Sequence, residues 1–210
     1  MADNATPSLR IQRKRTALIA AGLDLLVDRP IDAIPIDDLV ARAGVAKGSF
    51  FNHFADKYDF AGAVAAEVRM EVEAEVARTN DGVIDPVERI AGGMAVAARF
   101  AVEQPRRMMV LLRSQVPATN QTHPLNRGLK DDIEAALEQG LLRPEALHVG
   151  LPYWLGLCQV LMAHLIETRP LHAVACERLG EMLLLGLAGL GVPAPKAREL
   201  SRATRMHGPD

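Results

Sequence analysis

No run of Val, Ile, Thr and aromatic residues alternates with period two in this 210-residue chain, whereas Ala, Leu, Glu and Arg recur at helical spacing and aromatic residues make up only 4%. A strand with one buried face needs the first pattern, so the chain is read as all-α. Helices are expected over 10–27, 35–43, 47–54, 59–78, 86–104, 105–116, 125–139, 145–168 and 171–189, each bounded by Pro, Gly or a polar loop. Pro152 is expected to kink or restart the eighth of these, and the residues after Pro193 to form a short, loosely held tail.

Nearly half the residues are hydrophobic and the formal net charge is -2, which excludes general disorder and a collagen-like or disulfide-stapled chain. The longest apolar stretches, 151–160 and 182–192, contain or adjoin Gly and Pro and fall short of the roughly 20 residues of a membrane helix, so no membrane span is expected. The first residues carry no apolar segment of the secretory kind, and a cytoplasmic location is the default. Cys158 and Cys176 lack C-x-x-C spacing and read as buried, reduced thiols.

The segment from Ile36 to Phe54 is the most informative. It reads as two short helices joined at Gly44-Val45-Ala46, where Ala43 permits close packing and Gly44 tolerates positive φ. Ile36, Leu39, Val40, Val45, Phe50 and Phe54 would pack inward. Lys47, Gly48, Ser49, Phe51, Asn52 and His53 would stay on the exposed side of the second of these helices, a helix of the size that enters a major groove.

The stretch Leu39-Val40-Ala41-Arg42-Ala43-Gly44-Val45-Ala46-Lys47-Gly48-Ser49-Phe50-Phe51-Asn52-His53-Phe54-Ala55-Asp56-Lys57 resembles the DNA-binding signature of TetR-family transcriptional regulators. The resemblance covers roughly residues 10–65. It implies an N-terminal three-helix DNA-binding domain, placed here at 1–60, and a helical ligand-binding and dimerisation domain over 61–210. It also implies a homodimer made by the last two long helices and repression relieved by a small molecule. Carried over by position, Lys47, Ser49, Phe51, Asn52 and His53 would face DNA, Lys57 would approach a phosphate, and Arg10, Arg13 and Lys14 would assist. The family often has Ser or Thr at the place of Ala46, Tyr at that of Phe51 and Ala at that of Val40. Ala46 thus forfeits an N-cap oxygen worth about 0.5–2 kcal/mol, and Phe51 a hydroxyl.

Chemistry divides the labour: Arg10, Arg13, Lys14, Lys47 and Lys57 can neutralise phosphates, whereas Ser49, Asn52 and His53 can touch base edges. Residues 1–60 contain as many Asp as Lys plus Arg, so one copy should bind weakly and two copies on a palindromic operator more tightly. Other constellations point nowhere specific. Lys47-Gly48-Ser49 has the wrong order for a phosphate loop, Gly186, Gly189 and Gly191 lack the dinucleotide spacing, and His164 with Glu167 lacks further metal ligands. No cofactor, no metal and no catalytic residue is assigned.

In the C-terminal part, Met94, Phe100, Met108, Leu112, Tyr153, Trp154, Cys158 and Met162 form the apolar supply from which an effector pocket would draw, although each taken alone reads more simply as core. Arg99, Arg113, Gln115 and His123 are candidate polar anchors. The expected effector is small and mainly apolar or aromatic. A rival reading is a helical protein-interaction module that no longer engages DNA.

Overall fold

The computed structural model describes residues 7–114 and 126–204. Among them are ten α-helices and no strand: α1 (Pro7–Leu26), α2 (Ile36–Ala43), α3 (Lys47–Phe51), α4 (Lys57–Thr79), α5 (Pro86–Glu103), α6 (Pro105–Arg113), α7 (Arg127–Glu138), α8 (Ala146–Thr168), α9 (His172–Leu190) and α10 (Ala194–Ala203). They divide into two compact units. The described residues up to Val68 and those from Met109 to Ser114 make one, and Arg69–Met108 with the residues from Asn126 onward make the other. The division falls at Val68 inside α4, where the sequence suggests residue 60, because α4 stays buried through Phe60, Val64, Ala65 and Val68, the first two of them in the first core.

In the first unit α2 lies against α1, and α3 touches both. Their shared core holds Leu18, Ile19, Leu26, Ile34, Leu39, Val40, Phe50, Phe54, Phe60 and Val64, joined by Val110 from α6. Aromatic rings fill its centre: Phe60 lies 5.4 Å from Phe50 and 5.0 Å from Phe54, the latter edge to face. The start of α4 is set by a reciprocal cap. Asp56 Oδ1 accepts from the backbone N–H of Tyr58 and Asp59 at 2.7 and 2.8 Å, while Asp59 Oδ2 accepts from that of Ala55 at 2.9 Å. That cap moves the helix start to Lys57, two residues before the expected Asp59.

The second unit is a bundle in which α5 packs on α7, α8 and α9. Asp85 caps α5 by accepting from the Val87 N–H at 2.8 Å, and Pro86 follows at the first helical position, where no intrahelical N–H bond is lost. Arg89 donates to Asp132 of α7 at 2.6 Å and to the carbonyls of Val83 and Ile84, tying the entry of α5 to α7.

Two expectations are corrected here. Residues Ala194–Ala203 are not a loose tail, since as α10 they bury Ala197 and Leu200 in the bundle core, Ser201 donates to the Gly180 carbonyl at 2.8 Å, and Lys196 pairs with Asp85 at 3.2 Å. Of the two effects expected of Pro152, the restart does not occur, since Pro152 lies inside α8 and the helix continues through it. For the same reason α8 is, by length and composition, long and apolar enough to cross a membrane, with mean hydropathy 1.5 over its best window, 44% of which is buried. Leu151, Trp154, Leu155, Leu161 and Leu165 of α8 belong to the bundle core.

Candidate nucleic-acid interface

The turn between α2 and α3 rests on one residue. Gly44 takes φ 66° and ψ 32°, and the Val45 N–H returns to the Val40 carbonyl at 3.0 Å, which reverses the chain within three residues. Ala46 then stands at the N-cap of α3 with no side-chain bond to offer, as its missing hydroxyl predicts. α3 is shorter than expected, ending at Phe51. Asn52 caps it, and the N–H groups of His53 and Phe54 close the next turn on the Phe50 carbonyl.

Lys47, Gly48, Phe51 and Asn52 are exposed and His53 is half-buried. Phe51 is 53% exposed, and its ring meets the buried Phe50 edge to face at 5.4 Å. Nothing lies near the Cα of Gly48 on the side a Cβ would occupy, so the backbone there is open to close approach. Ser49 departs from expectation. It is buried, and its hydroxyl accepts from Lys14 Nζ of α1 at 3.3 Å. At five residues, α3 shows solvent only part of its circumference, and Ser49 falls on the packed side beside Phe50. Here Ser49 positions Lys14 and is not on the outer face.

The cations of this unit are largely matched by its own carboxylates. Lys47 pairs with Asp37 at 2.8 Å, and Arg42 with Asp24 at 2.6 Å. Lys57 donates to the Asp32 carbonyl at 3.2 Å, with the Asp32 carboxylate at 3.8 Å. These partners lie ten to twenty-five residues away, so spacing along the chain carries no signal of them. Sequence reasoning counts Arg15 in the basic cluster of the first helix but leaves out Tyr58. The Arg15 guanidinium stands 5.7 Å over the Phe54 ring, and the Tyr58 hydroxyl donates to Asp32 at 2.5 Å. The hydrogen bond to Asp32, followed by that carboxylate's charge, holds the Tyr58 phenol above its ordinary value. Arg10 and Arg13 are exposed on the first turns of α1.

Residues 18–64, which span this core and turn, match the family model of bacterial regulatory proteins of the tetR family. The first unit thus carries a DNA-binding domain of the tetR type. It is 32% identical over 77 residues to the HTH-type transcriptional repressor DhaR of Mycobacterium sp. (strain GP1), an overlap of 36% of this chain and 39% of that one. The chain therefore spans well under half the length of this relative. TetR-type folds extend over both units. A TetR-family transcription regulator from Shewanella sp. PV-4 superposes with TM-score 0.73 at 16% identity, covering 84% of this chain and 97% of that one. RolR in complex with resorcinol gives TM-score 0.63 at 21% identity, covering 92% and 95%. At such identities the likeness shows the fold.

The residues expected to serve an effector are distributed differently. Met94 and Trp154 are fully buried in the bundle core, Phe100, Met108 and Met162 are buried, and Cys158 is half-buried. Leu112 belongs to the first unit. Tyr153 is 36% exposed, donates to the Gly186 carbonyl at 3.4 Å, and lines a cavity of about 610 Å³ with Arg143, Val149 and Gly189. Of the expected anchors, Arg99 is held by Glu75 at 2.7 Å, Arg113 lies in the first unit, and Gln115 and His123 fall outside the described residues.

Proposed function

We propose that this chain is a TetR-family DNA-binding transcriptional regulator, a repressor that occupies a palindromic operator as a homodimer and leaves it when a small, mainly apolar effector binds the C-terminal unit. The reading rests on the outer face of α3, where Lys47, Gly48, Phe51 and Asn52 stand clear of a rigid aromatic core. Lys47, with Lys57, Arg10, Arg13 and Lys14, would neutralise phosphates. Asn52 and His53 would read base edges, and the Phe51 ring would offer apolar contact. Ser49 would act through Lys14. Regulation rather than catalysis fits the matched family model and the DhaR repressor, and a regulator of this kind would act in the cytoplasm.

Dimerisation through α8 and α9 would cover apolar side chains that a monomer leaves in water, among them Val160 at 62% and Leu185 at 70% exposure. An effector site in the bundle is favoured by Arg107, whose Nε is buried with no hydrogen-bond partner among the described residues. That donor, on a guanidinium whose Nη2 is held by Glu71, would anchor a polar group on an otherwise apolar molecule. RolR was solved with resorcinol, a ligand of that kind. The effector would release DNA by preferring the dimer conformation whose recognition helices misfit the operator.

Selection of bound duplexes from a random pool by the purified full chain tests this reading. Enrichment of a palindrome with half-sites about one helical turn apart is the expected result. No enrichment at low salt by a folded dimer would overturn it and favour a protein-interaction module, for which the Asp-paired lysines speak.

A further inference from the structure

A cavity of about 550 Å³ lies within the first unit, walled by the end of α1, the link that follows it, the start of α4 and the last turn of α6. We propose that it is a binding site for a small aromatic carboxylate, separate from any effector site in the bundle.

Its floor is apolar, formed by Leu26, Ile31, Ala61 and Val110. Its rim carries two guanidinium groups that the fold engages only loosely. Arg113 makes one long hydrogen bond, from Nη1 to the Val27 carbonyl at 3.4 Å, and Arg29 reaches Asp38 at 3.5 Å. Asp32, the one carboxylate among the described lining residues, is already occupied by the Tyr58 hydroxyl at 2.5 Å and approached by Lys57. The opening is therefore cationic over an apolar floor. Volumes of 300–1,000 Å³ suit small molecules, and a planar guanidinium presents paired N–H donors that match a carboxylate. A flat ring fits the floor and can stack beside Tyr58 at the rim.

The site has a direct route to the recognition helix. Val110 and Leu26 belong to the same packed cluster as Phe50 and Leu39, which seat α3 and α2. A ligand resting on Val110 and Leu26 presses on that seat, so carboxylate and DNA affinities become reciprocally coupled. This coupling rests on the DNA-binding reading, whereas carboxylate binding does not.

The test is calorimetric titration of the full chain, without DNA, using benzoate and 2-naphthoate, with 2-naphthamide as the uncharged isostere. A carboxylate is expected to bind, the amide to bind about tenfold or more weakly, and Arg29→Gln with Arg113→Gln to weaken the carboxylate by a similar factor. Arg113→Lys, which keeps the charge and loses the paired donors, should fall between. Unfolding temperatures of the variants report whether the fold survives, as exposure of both side chains predicts. Binding of neither carboxylate, equal binding of the amide, or full affinity in the folded double variant would each overturn the proposal. Because no duplex is present, failure here leaves the operator selection standing, and the reverse holds too.

Discussion

The Lys47 ammonium lies 2.8 Å from the Asp37 carboxylate, joining the first turn of α3 to the first turn of α2. Both side chains are more than half exposed, so the pair adds little to stability, on the order of 0–1 kcal/mol. Its consequence is for binding, because a phosphate must compete with Asp37 for the same cation. Asp37→Asn is expected to tighten binding to all duplexes and to steepen the dependence of log affinity on log salt by up to about one counterion. Filter binding across a salt series would measure it. An unchanged slope would mean that Lys47 does not reach a phosphate.

Gly22 of α1 sits directly against Phe60 and Val64 of α4. A Cβ built there would lie 2.5 Å from Phe60 Cζ and 2.7 Å from Val64 Cγ2, both in fully buried side chains. Neither neighbour has room to turn away. Gly22→Ala should therefore destabilise the chain by about 1–3 kcal/mol despite the better helix propensity of Ala. Denaturant unfolding followed by circular dichroism gives the number, and a stabilised variant would contradict the packing described.

Asp85 couples acid stability to the start of α5. Burial pushes its carboxyl up, but hydrogen bonds from the Val87 N–H, the Lys196 ammonium and the Glu88 N–H outweigh it and hold the group below its ordinary value. A depressed folded value means that the stabilisation is present above the unfolded value of about 3.9 and is lost as pH falls below it through the folded value. Asp85→Ala should cost about 0.5–2 kcal/mol at neutral pH. Asp85→Asn, which keeps a capping oxygen, should cost less and flatten the acid limb of the stability–pH curve. An acid limb identical to wild type in the Asn variant would remove Asp85 from this role.

The two thiols should differ in reactivity. Burial pushes the Cys158 thiol up to about 12, with Arg69 pulling it down and Glu73 pushing it further up. At pH 8 the thiolate fraction is then on the order of one in ten thousand, so iodoacetamide should leave Cys158 unmodified in the folded protein. The sign for stability is opposite to that of Asp85. The folded state keeps a proton that the unfolded state loses above about pH 8.5, so stability declines as pH rises from there towards 12. Peptide mapping after timed alkylation checks the first point, and a flatter alkaline limb in Cys158→Ala checks the second.

Much was determined by sequence alone. Helical periodicity with no period-two runs established the all-α class, and Ala43-Gly44 between two short apolar-faced helices located the turn, because only a left-handed residue with a small neighbour closes it. The inward set of Leu39, Val40, Phe50 and Phe54 was legible for the same reason: local spacing dictates which side chains share a face. The reciprocal cap Asp56-x-x-Asp59 was also present in the residues and would have placed the start of α4.

Tertiary structure decided what depends on residues distant in the chain. Whether Ser49 faces outward, which carboxylate holds Lys47 or Lys57, whether the last residues pack as α10, and where Arg29 and Arg113 open a shared cavity all follow from elements that meet only on folding. Periodicity assigns a residue to a face of its own helix. It cannot say what packs against that face, since long-range contacts are set by the mutual fit of whole elements and not by spacing along one of them.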